Sequence, residues 1–84
     1  MPFYIYIIQS EKDGSYYIGS TRDLHDRLER HNQGRSKYTK PKLPWKLIYH
    51  EKHTDRSTAM KKEKEIKNRK SRHYIEHLVR TSRQ

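Results

Sequence analysis

The N-terminal part of the chain has the alternating pattern of a β-hairpin. Residues 3–9 are β-branched and aromatic, residues 11–14 have turn chemistry, and residues 15–19 resume a strand-like composition. Because successive side chains point to opposite faces of a strand, pairing through this turn places a mostly aromatic set on one face: Tyr4, Tyr6, Ile8 and Tyr17. The opposite face is more aliphatic and is expected to carry the main core, with Ile5, Ile7, Tyr16 and Ile18.

The apolar spacing then changes to that of a helix. Residues 20–23 (Ser-Thr-Arg-Asp) resemble a capping box, and Leu24 and Leu28 follow four residues apart. A short first helix is therefore predicted from this cap to Gly34.

A basic loop and three further elements complete the pattern. Residues 35–44 contain two prolines and are predicted to form a loop, and residues 45–50 have the composition of a third strand. Ser57 is the expected cap of a second helix with the apolar face Ala59, Met60 and Ile66. Ser71 is the expected cap of a third helix with the apolar face Tyr74, Ile75, Leu78 and Val79.

The predicted order is β-β-α-β-α-α, a small α+β fold in which a three-stranded sheet is flanked by helices. No internal repeat and no second domain is visible, so residues 1–80 are expected to form one domain. Residues 81–84 are expected to fray as a C-terminal tail.

Composition narrows the classes of function. The 84 residues include no cysteine, which excludes a disulfide framework and a thiolate zinc site and suits the cytoplasm. Only 30% are hydrophobic, so the core is thin and a large buried ligand cavity is not expected. The longest apolar run, residues 4–8, is far shorter than the ~20 residues of a membrane span.

The formal net charge of +10 indicates a polyanionic partner. Basic residues are densest between Arg56 and Arg72, and the loop at 35–44 is also basic. The alternative is a solvated helix face, because Lys and Arg are good helix formers. The residues expected to contact nucleic acid are Arg35, Lys37, Lys40, Lys42, Lys61, Lys62, Lys64, Lys67, Arg69 and Lys70.

One metal-binding pattern occurs near the C-terminus. Residues 73–77 match the H-x-x-E-H pattern of inverted zinc metallopeptidases, with His73 and His77 four residues apart. A catalytic zinc needs a third protein ligand and a walled cleft, and only seven residues follow His77. With 6 histidines in the chain, a chance match on an exposed helix is the better interpretation.

A second constellation has the parts of a phosphodiester hydrolase. Phenols can orient or deprotonate water, a guanidinium can neutralise developing charge, and a carboxylate can hold a divalent cation. Arg27 and His31 lie four residues apart and can line one cleft beside the sheet, whereas Glu63 lies unexpectedly between apolar residues of the second helix. Each residue alone has an ordinary explanation; together the candidates are Tyr6, Tyr17, Arg27, His31 and Glu63.

The ordered set resembles the GIY-YIG nuclease superfamily. Tyr4-Ile5-Tyr6 and Tyr17-Ile18-Gly19 stand eleven residues apart, and Arg27 and a helical glutamate follow. The segments at 34–39, 44–49 and 59–63 are similar to its small, single-domain bacterial branch.

The resemblance implies a role for each candidate. Tyr6 would activate or position the attacking water, Tyr17 would contact water or phosphate, and Arg27 would stabilise the transition state. Glu63 would bind the metal, and His31 corresponds to a histidine of some branches.

Three features of the chain bear on this assignment. Tyr4 replaces the first glycine of the motif, which changes backbone freedom but removes no catalytic side chain. Asn68 lies within the basic stretch and does not match the asparagine that several relatives carry after the glutamate helix. Glu65 competes with Glu63 for the metal but lies on another face of the helix.

The leading hypothesis is a DNA endonuclease that uses Mg²⁺ or Mn²⁺ held by Glu63, with one-metal in-line attack by water. The alternative is a non-catalytic module of the same fold that binds DNA or structured RNA, and a third is a structural role in a ribonucleoprotein. No membrane association and no obligate protein partner are expected.

Overall fold

The computed structural model describes residues 2–69 and 71–82. Its elements follow the predicted order: β1 (Phe3–Ser10), β2 (Tyr16–Thr21), α1 (Leu24–Asn32), a short 3-10 helix (Lys40–Lys42), β3 (Trp45–His53), α2 (Arg56–Arg69) and α3 (Arg72–Thr81). The α+β architecture predicted from the sequence is therefore confirmed.

The sheet is antiparallel, with β1 in the centre and the strand order β2-β1-β3. Tyr6 pairs with Gly19, and Ile8 pairs with Tyr17. This register keeps the predicted tyrosine face, because it differs from the turn-based register by an even number of residues.

The two faces of the sheet pack against different helices. Ile5 and Ile7 pack with residues of α2 and α3 into one core cluster: Ala59, Ile66 and Ile75. Tyr6 and Ile8 form a second cluster with Trp45, against which Leu24 and Leu28 of α1 are packed. The aliphatic face is thus the main core as predicted, and the tyrosine face is covered by α1.

The caps of the first two helices differ from the prediction. Ser20 pairs with Ile5 inside β2, so it does not cap α1; Asp23 does, and its side chain accepts a hydrogen bond from the Asp26 amide. Asp55 rather than Ser57 accepts from an amide at the start of α2, that of Thr58, at 2.8 Å. In both cases the capping residue follows the end of the preceding strand, which continues farther than its composition suggested.

The inward face of α2 also differs from the prediction. Met60 is 49% exposed and lies outside the core, whereas Ile66 is 2% exposed. The inward-leaning positions are Ala59, Lys62, Glu63 and Ile66, which follow the three- and four-residue steps of one helix face. Met60 follows Ala59 directly and is therefore rotated by about 100° toward solvent.

The C-terminal helix is capped by Ser71, as predicted. It continues through Thr81 and ends at Ser82, two residues that the sequence analysis assigned to the tail. Lys70 and the rest of that tail, residues 83–84, lie outside the described residues. None of the helices built from the described residues has the length and apolarity that a bilayer crossing needs.

The α2 face can be tested with two truncations of similar size. Ile66→Ala should lower the free energy of unfolding by about 2–5 kcal/mol, because it leaves a cavity in the core. Met60→Ala should change it by about 0.5 kcal/mol or less, because this side chain is largely in solvent. Urea unfolding followed by circular dichroism measures both, and equal losses in the two variants would contradict this placement of α2.

Candidate functional site

A chain of buried polar side chains lies beneath α1. Tyr6 Oη and His31 Nε2 are 3.1 Å apart, and His31 Nδ1 and Thr39 Oγ1 are 2.8 Å apart. The Thr39 carbonyl accepts a 2.9 Å hydrogen bond from the Trp45 indole. Tyr6, His31 and Thr39 are at most 3% exposed, so these contacts satisfy polar groups that are largely withdrawn from bulk solvent.

Two local features of the backbone position the residues of this hydrogen-bonded series. Gly34 adopts a positive φ of 73° after α1, which turns the backbone so that Thr39 packs against His31. The Asn32 side chain binds both the amide and the carbonyl of Trp45, which ties the end of α1 to the start of β3. The His31 imidazole is therefore held in place both by the loop after α1 and by the start of β3.

Gly19 makes room for the Tyr6 hydroxyl. A Cβ atom at this position would lie 2.5 Å from Tyr6 Oη and 2.7 Å from Tyr6 Cζ. The Tyr6 ring therefore lies over the backbone of Gly19, the residue of β2 that pairs with Tyr6. A side chain at position 19 would displace the Tyr6 hydroxyl. The glycine of the Tyr17-Ile18-Gly19 motif is therefore needed because it has no side chain.

Burial sets the protonation states of the pair. It raises the pKa of Tyr6 well above its ordinary value, Tyr17 adds to this effect, and the charge of Arg27 opposes it. Burial, followed by the charge of Arg27, lowers the pKa of His31 below its ordinary value of 6.5. Tyr6 is therefore a neutral phenol and His31 a neutral imidazole at pH 7.

A basic cleft adjoins this buried pair. It has a volume of about 350 Å³ and is lined by Tyr17, Arg27, Arg30, His31, Arg35 and Ser36. Tyr17 packs edge-on against His31 with 5.1 Å between ring centroids, so the phenol and imidazole border the same opening. Three guanidinium groups on one small cleft suit a phosphate, which accepts their paired N–H donors.

Glu63 does not line this cleft but a separate groove along α2. Its side chain is 19% exposed, and Oε2 accepts a 2.7 Å hydrogen bond from Lys67 Nζ. Lys67 in turn lines a second cleft, of about 440 Å³, together with Tyr16, Tyr17, Ile18 and Tyr38. The carboxylate also raises the pKa of Tyr6 slightly, as the last of the contributions to it. Lys67 thus links the acidic candidate to the tyrosines.

The donor set can be compared with what a divalent cation requires. The described part of the chain contains no group of three or more His, Asp or Glu side chains placed to hold a metal. Mg²⁺ is nevertheless bound in many phosphate sites by one or two carboxylates, with substrate phosphate and water as the other ligands. Glu63 fits that mode once Lys67 is released, whereas Glu65 pairs with Lys62 and Arg69.

The structure divides the predicted nucleic-acid contacts into two sets. Arg35 lines the arginine cleft of about 350 Å³, whereas Lys61, Lys64 and Lys67, together with Glu63, line a groove of about 760 Å³ along α2. Lys37 and Lys40 are exposed on the loop. The others are engaged elsewhere or undescribed: Lys42 binds Ser15, Lys62 leans inward, Arg69 stacks on Tyr74, and Lys70 is not described.

Three residues at this site were not predicted from the sequence. Thr39 orients the imidazole, Arg30 adds charge to the cleft, and Tyr38 forms a wall beside Tyr17. The i, i+3 spacing of Arg27 and Arg30 was the available signal for Arg30. His73 and His77 are exposed on α3, as the chance interpretation of that motif expected.

The chain is similar to known proteins over most of its length. A family model described as the GIY-YIG catalytic domain matches residues 2–75. A UPF0213 protein of Staphylococcus saprophyticus is 46% identical over 65 residues, which cover 76% of this chain and 78% of that protein. UPF0213 proteins of Staphylococcus aureus are 43% identical over the same shares.

A solved structure supports the same relationship. The solution NMR structure of a UPF0213 protein from Bacillus halodurans has a TM-score of 0.61 and 35% identity to this chain. The match covers 96% of this chain and 85% of that protein. The GIY-YIG domain is associated with nucleases, and this small, single-domain chain belongs to the GIY-YIG catalytic-domain family.

Proposed function

We propose that this protein is a divalent-metal-dependent endonuclease that hydrolyses DNA phosphodiester bonds. The observation that carries the proposal is the hydrogen bond between the Tyr6 hydroxyl and the neutral His31 imidazole at the edge of an arginine-lined cleft. A neutral base behind a phenol, next to a site suited to phosphate, is an arrangement for removing a proton from water during phosphoryl transfer.

The pKa directions decide how Tyr6 takes part. A phenol whose pKa is raised is not a phenolate at neutral pH and cannot be the final proton acceptor. In the productive tautomer the Tyr6 hydroxyl donates to His31 Nε2, and His31 Nδ1–H donates to Thr39 Oγ1. As the water oxygen bonds to phosphorus and the leaving oxygen departs, the water proton passes to Tyr6 Oη and the phenolic proton passes to Nε2.

The cleft supplies the charge that this reaction needs. The Arg27 guanidinium is the best placed to stabilise the pentacoordinate phosphate, since its charge acts on both Tyr6 and His31. Arg30 and Arg35 hold the phosphate from the same cleft, and Tyr17 borders it. When bound, Mg²⁺ or Mn²⁺ held by Glu63 would supply Lewis-acid stabilisation of the phosphate oxygens and leaving group.

Exposed basic side chains extend the contact to neighbouring phosphates. They lie on the loop and on the outer face of α2, and the proposed contacts are Arg35, Lys37, Lys40, Lys61, Lys64 and Lys67. Such contacts bind the backbone without selecting a sequence, and their strength falls as salt increases.

A second candidate function is a non-catalytic module that binds DNA or structured RNA. The observation that favours it is the ion pair between Lys67 and Glu63, which gives the carboxylate a partner other than a metal. Retained, salt-dependent binding with no cleavage under any metal condition would select this candidate.

The central test is a cleavage panel over duplex, single-stranded and branched DNA with Mg²⁺, Mn²⁺ or EDTA. Cleavage should require metal, and Glu63→Gln should lower kcat by about 100-fold or more, because it removes the single metal-binding carboxylate. DNA binding by this variant should stay within about threefold of the parent, because the cationic side chains proposed to hold the phosphates are unchanged.

Glu65→Gln is the matched control. It removes the same charge from the same helix, but its partners Lys62 and Arg69 lie outside the cleft. We expect near-parental cleavage from it. Equal losses in the two variants would remove Glu63 as the metal ligand, and no nicking of any DNA by the parent protein would reject the endonuclease.

The proton path predicts the acid side of the pH profile. Cleavage requires neutral His31, and burial lowers its pKa, so the rate should persist as pH falls to 6.5 and should decline only below that value. Tyr6→Phe, which breaks the path, should lower kcat by about 100-fold or more. A midpoint above 6.5 in the parent protein would contradict this assignment of the proton acceptor.

Unfolding must be separated from loss of cleavage in this experiment. The unfolded chain takes up a proton at His31 at a higher pH than the native chain does, so stability also falls as pH falls below 6.5. Circular dichroism at each pH identifies the range in which the chain is folded, and only rates from that range enter the profile.

A further inference from the structure

The side chain of Tyr38 is exposed although the residue beside it is fully buried. Tyr38 is 74% exposed, more than the other two exposed large apolar side chains of residues 2–69 and 71–82, Met60 and Leu47. Isolated exposed apolar residues are common and carry no meaning by themselves. The surroundings of Tyr38 distinguish it.

The ring of Tyr38 is held against the candidate site. Thr39 anchors the backbone through its side-chain contact with His31 and its carbonyl contact with the Trp45 indole. The centroids of Tyr38 and Tyr17 are 5.8 Å apart, with 48° between the ring planes. Tyr38 therefore extends the packed series Tyr6, His31 and Tyr17 out to the surface.

The cleft beneath Tyr38 combines aromatic walls with positive charge. Its lining consists of Tyr16, Tyr17, Ile18, Tyr38 and Lys67. Arg35, Lys37 and Lys40 are exposed cationic side chains within three residues of Tyr38 in the sequence. Flat aromatic surface among cations is the composition of surfaces that bind single-stranded nucleic acid, in which bases stack and phosphates pair with Lys and Arg.

We propose that Tyr38 is a stacking platform for an unpaired base of the DNA strand that enters the site. This inference rests on the proposed function, because it places a phosphate of that strand between Tyr17 and Arg27. The Tyr38 ring packs against Tyr17 with 5.8 Å between centroids, so it lies next to the proposed phosphate position, where the base of an adjoining nucleotide can meet it.

The stacking requirement defines the class of substrate. In a continuous duplex both faces of each base are covered by its neighbours, and an aromatic side chain stacks on a base only where the strand is unpaired or extruded. The site therefore takes DNA with an unpaired nucleotide next to the bound phosphate in preference to continuous duplex.

The test is a binding measurement in the Glu63→Gln background without divalent cations, so that cleavage does not interfere. The probes are a single-stranded DNA containing 2-aminopurine, whose fluorescence falls on stacking, and a blunt duplex of the same sequence. Tyr38 is compared with Tyr38→Phe and Tyr38→Leu, of which the first keeps an aromatic face and the second keeps only an apolar side chain.

Tyr38→Leu should raise the Kd for the single strand about tenfold, as expected for the loss of one base–aromatic stack. It should also abolish the quenching, while Tyr38→Phe retains both. Duplex binding should change less than about twofold, because electrostatic contacts carry it. Leu47→Ala, which truncates an exposed apolar residue on the opposite edge strand, should behave as the parent does.

Three results would overturn the platform: no quenching with Tyr38 present, equal losses for single strand and duplex, or an unchanged single-strand Kd in Tyr38→Leu. Cleavage by the chain with Glu63 intact is measured separately. Quenching without cleavage would reject the endonuclease alone, and cleavage without quenching would reject the platform alone.

Discussion

The buried hydrogen-bond chain from Tyr6 through His31 to Thr39 is the constraint on which the rest of the site depends. A buried hydroxyl or imidazole without a partner destabilises a protein by about 1–3 kcal/mol, which is a large fraction of the stability of a small domain. The three side chains come from β1, α1 and the loop, so each hydrogen bond fixes one segment relative to another. The exposed faces of Tyr17 and Arg27 acquire their positions from this buried framework.

The sheet separates stability from chemistry. Aliphatic residues of β1 pack against α2 and α3 on one side. On the other side Tyr6 and Trp45 enclose the hydrogen-bonded chain under α1. A chain with only 30% hydrophobic residues cannot bury both faces with aliphatic side chains. The hydrogen-bonded series Tyr6, His31 and Thr39 takes the place of apolar packing on the second face. Because His31 is buried there, its pKa is lowered and its imidazole is neutral.

Sequence patterns within single strands and helices predicted most of the fold. They did not predict the contacts between segments that are far apart in the sequence. Alternation along β1 placed Tyr6 and Ile5 on opposite faces correctly, since a strand has a period of two whatever its partners. The cap at Ser20 was wrong because β2 uses that residue, and Met60 was misplaced because the rotation of α2 depends on the sheet beneath it. At the site, the four-residue spacing of Arg27 and His31 on one helix could be predicted from the sequence. The contact of Thr39 with His31 could not, because it depends on the path of an irregular loop.

The charged residues fall into two groups, one at the arginine cleft and one on α2. Arg27, Arg30 and Arg35 converge on one cleft, and mutual repulsion among three guanidinium groups there favours an anion between them. On α2 the opposite situation holds, because the carboxylate of Glu63 is already paired with Lys67. An incoming phosphate would supply the negative charge that the arginine cleft lacks, whereas Glu63 would have to lose Lys67 before a divalent cation could take its place. Lys67 also lines the cleft beside Tyr17, so under the proposed function the release of Glu63 depends on a phosphate that reaches Lys67 there.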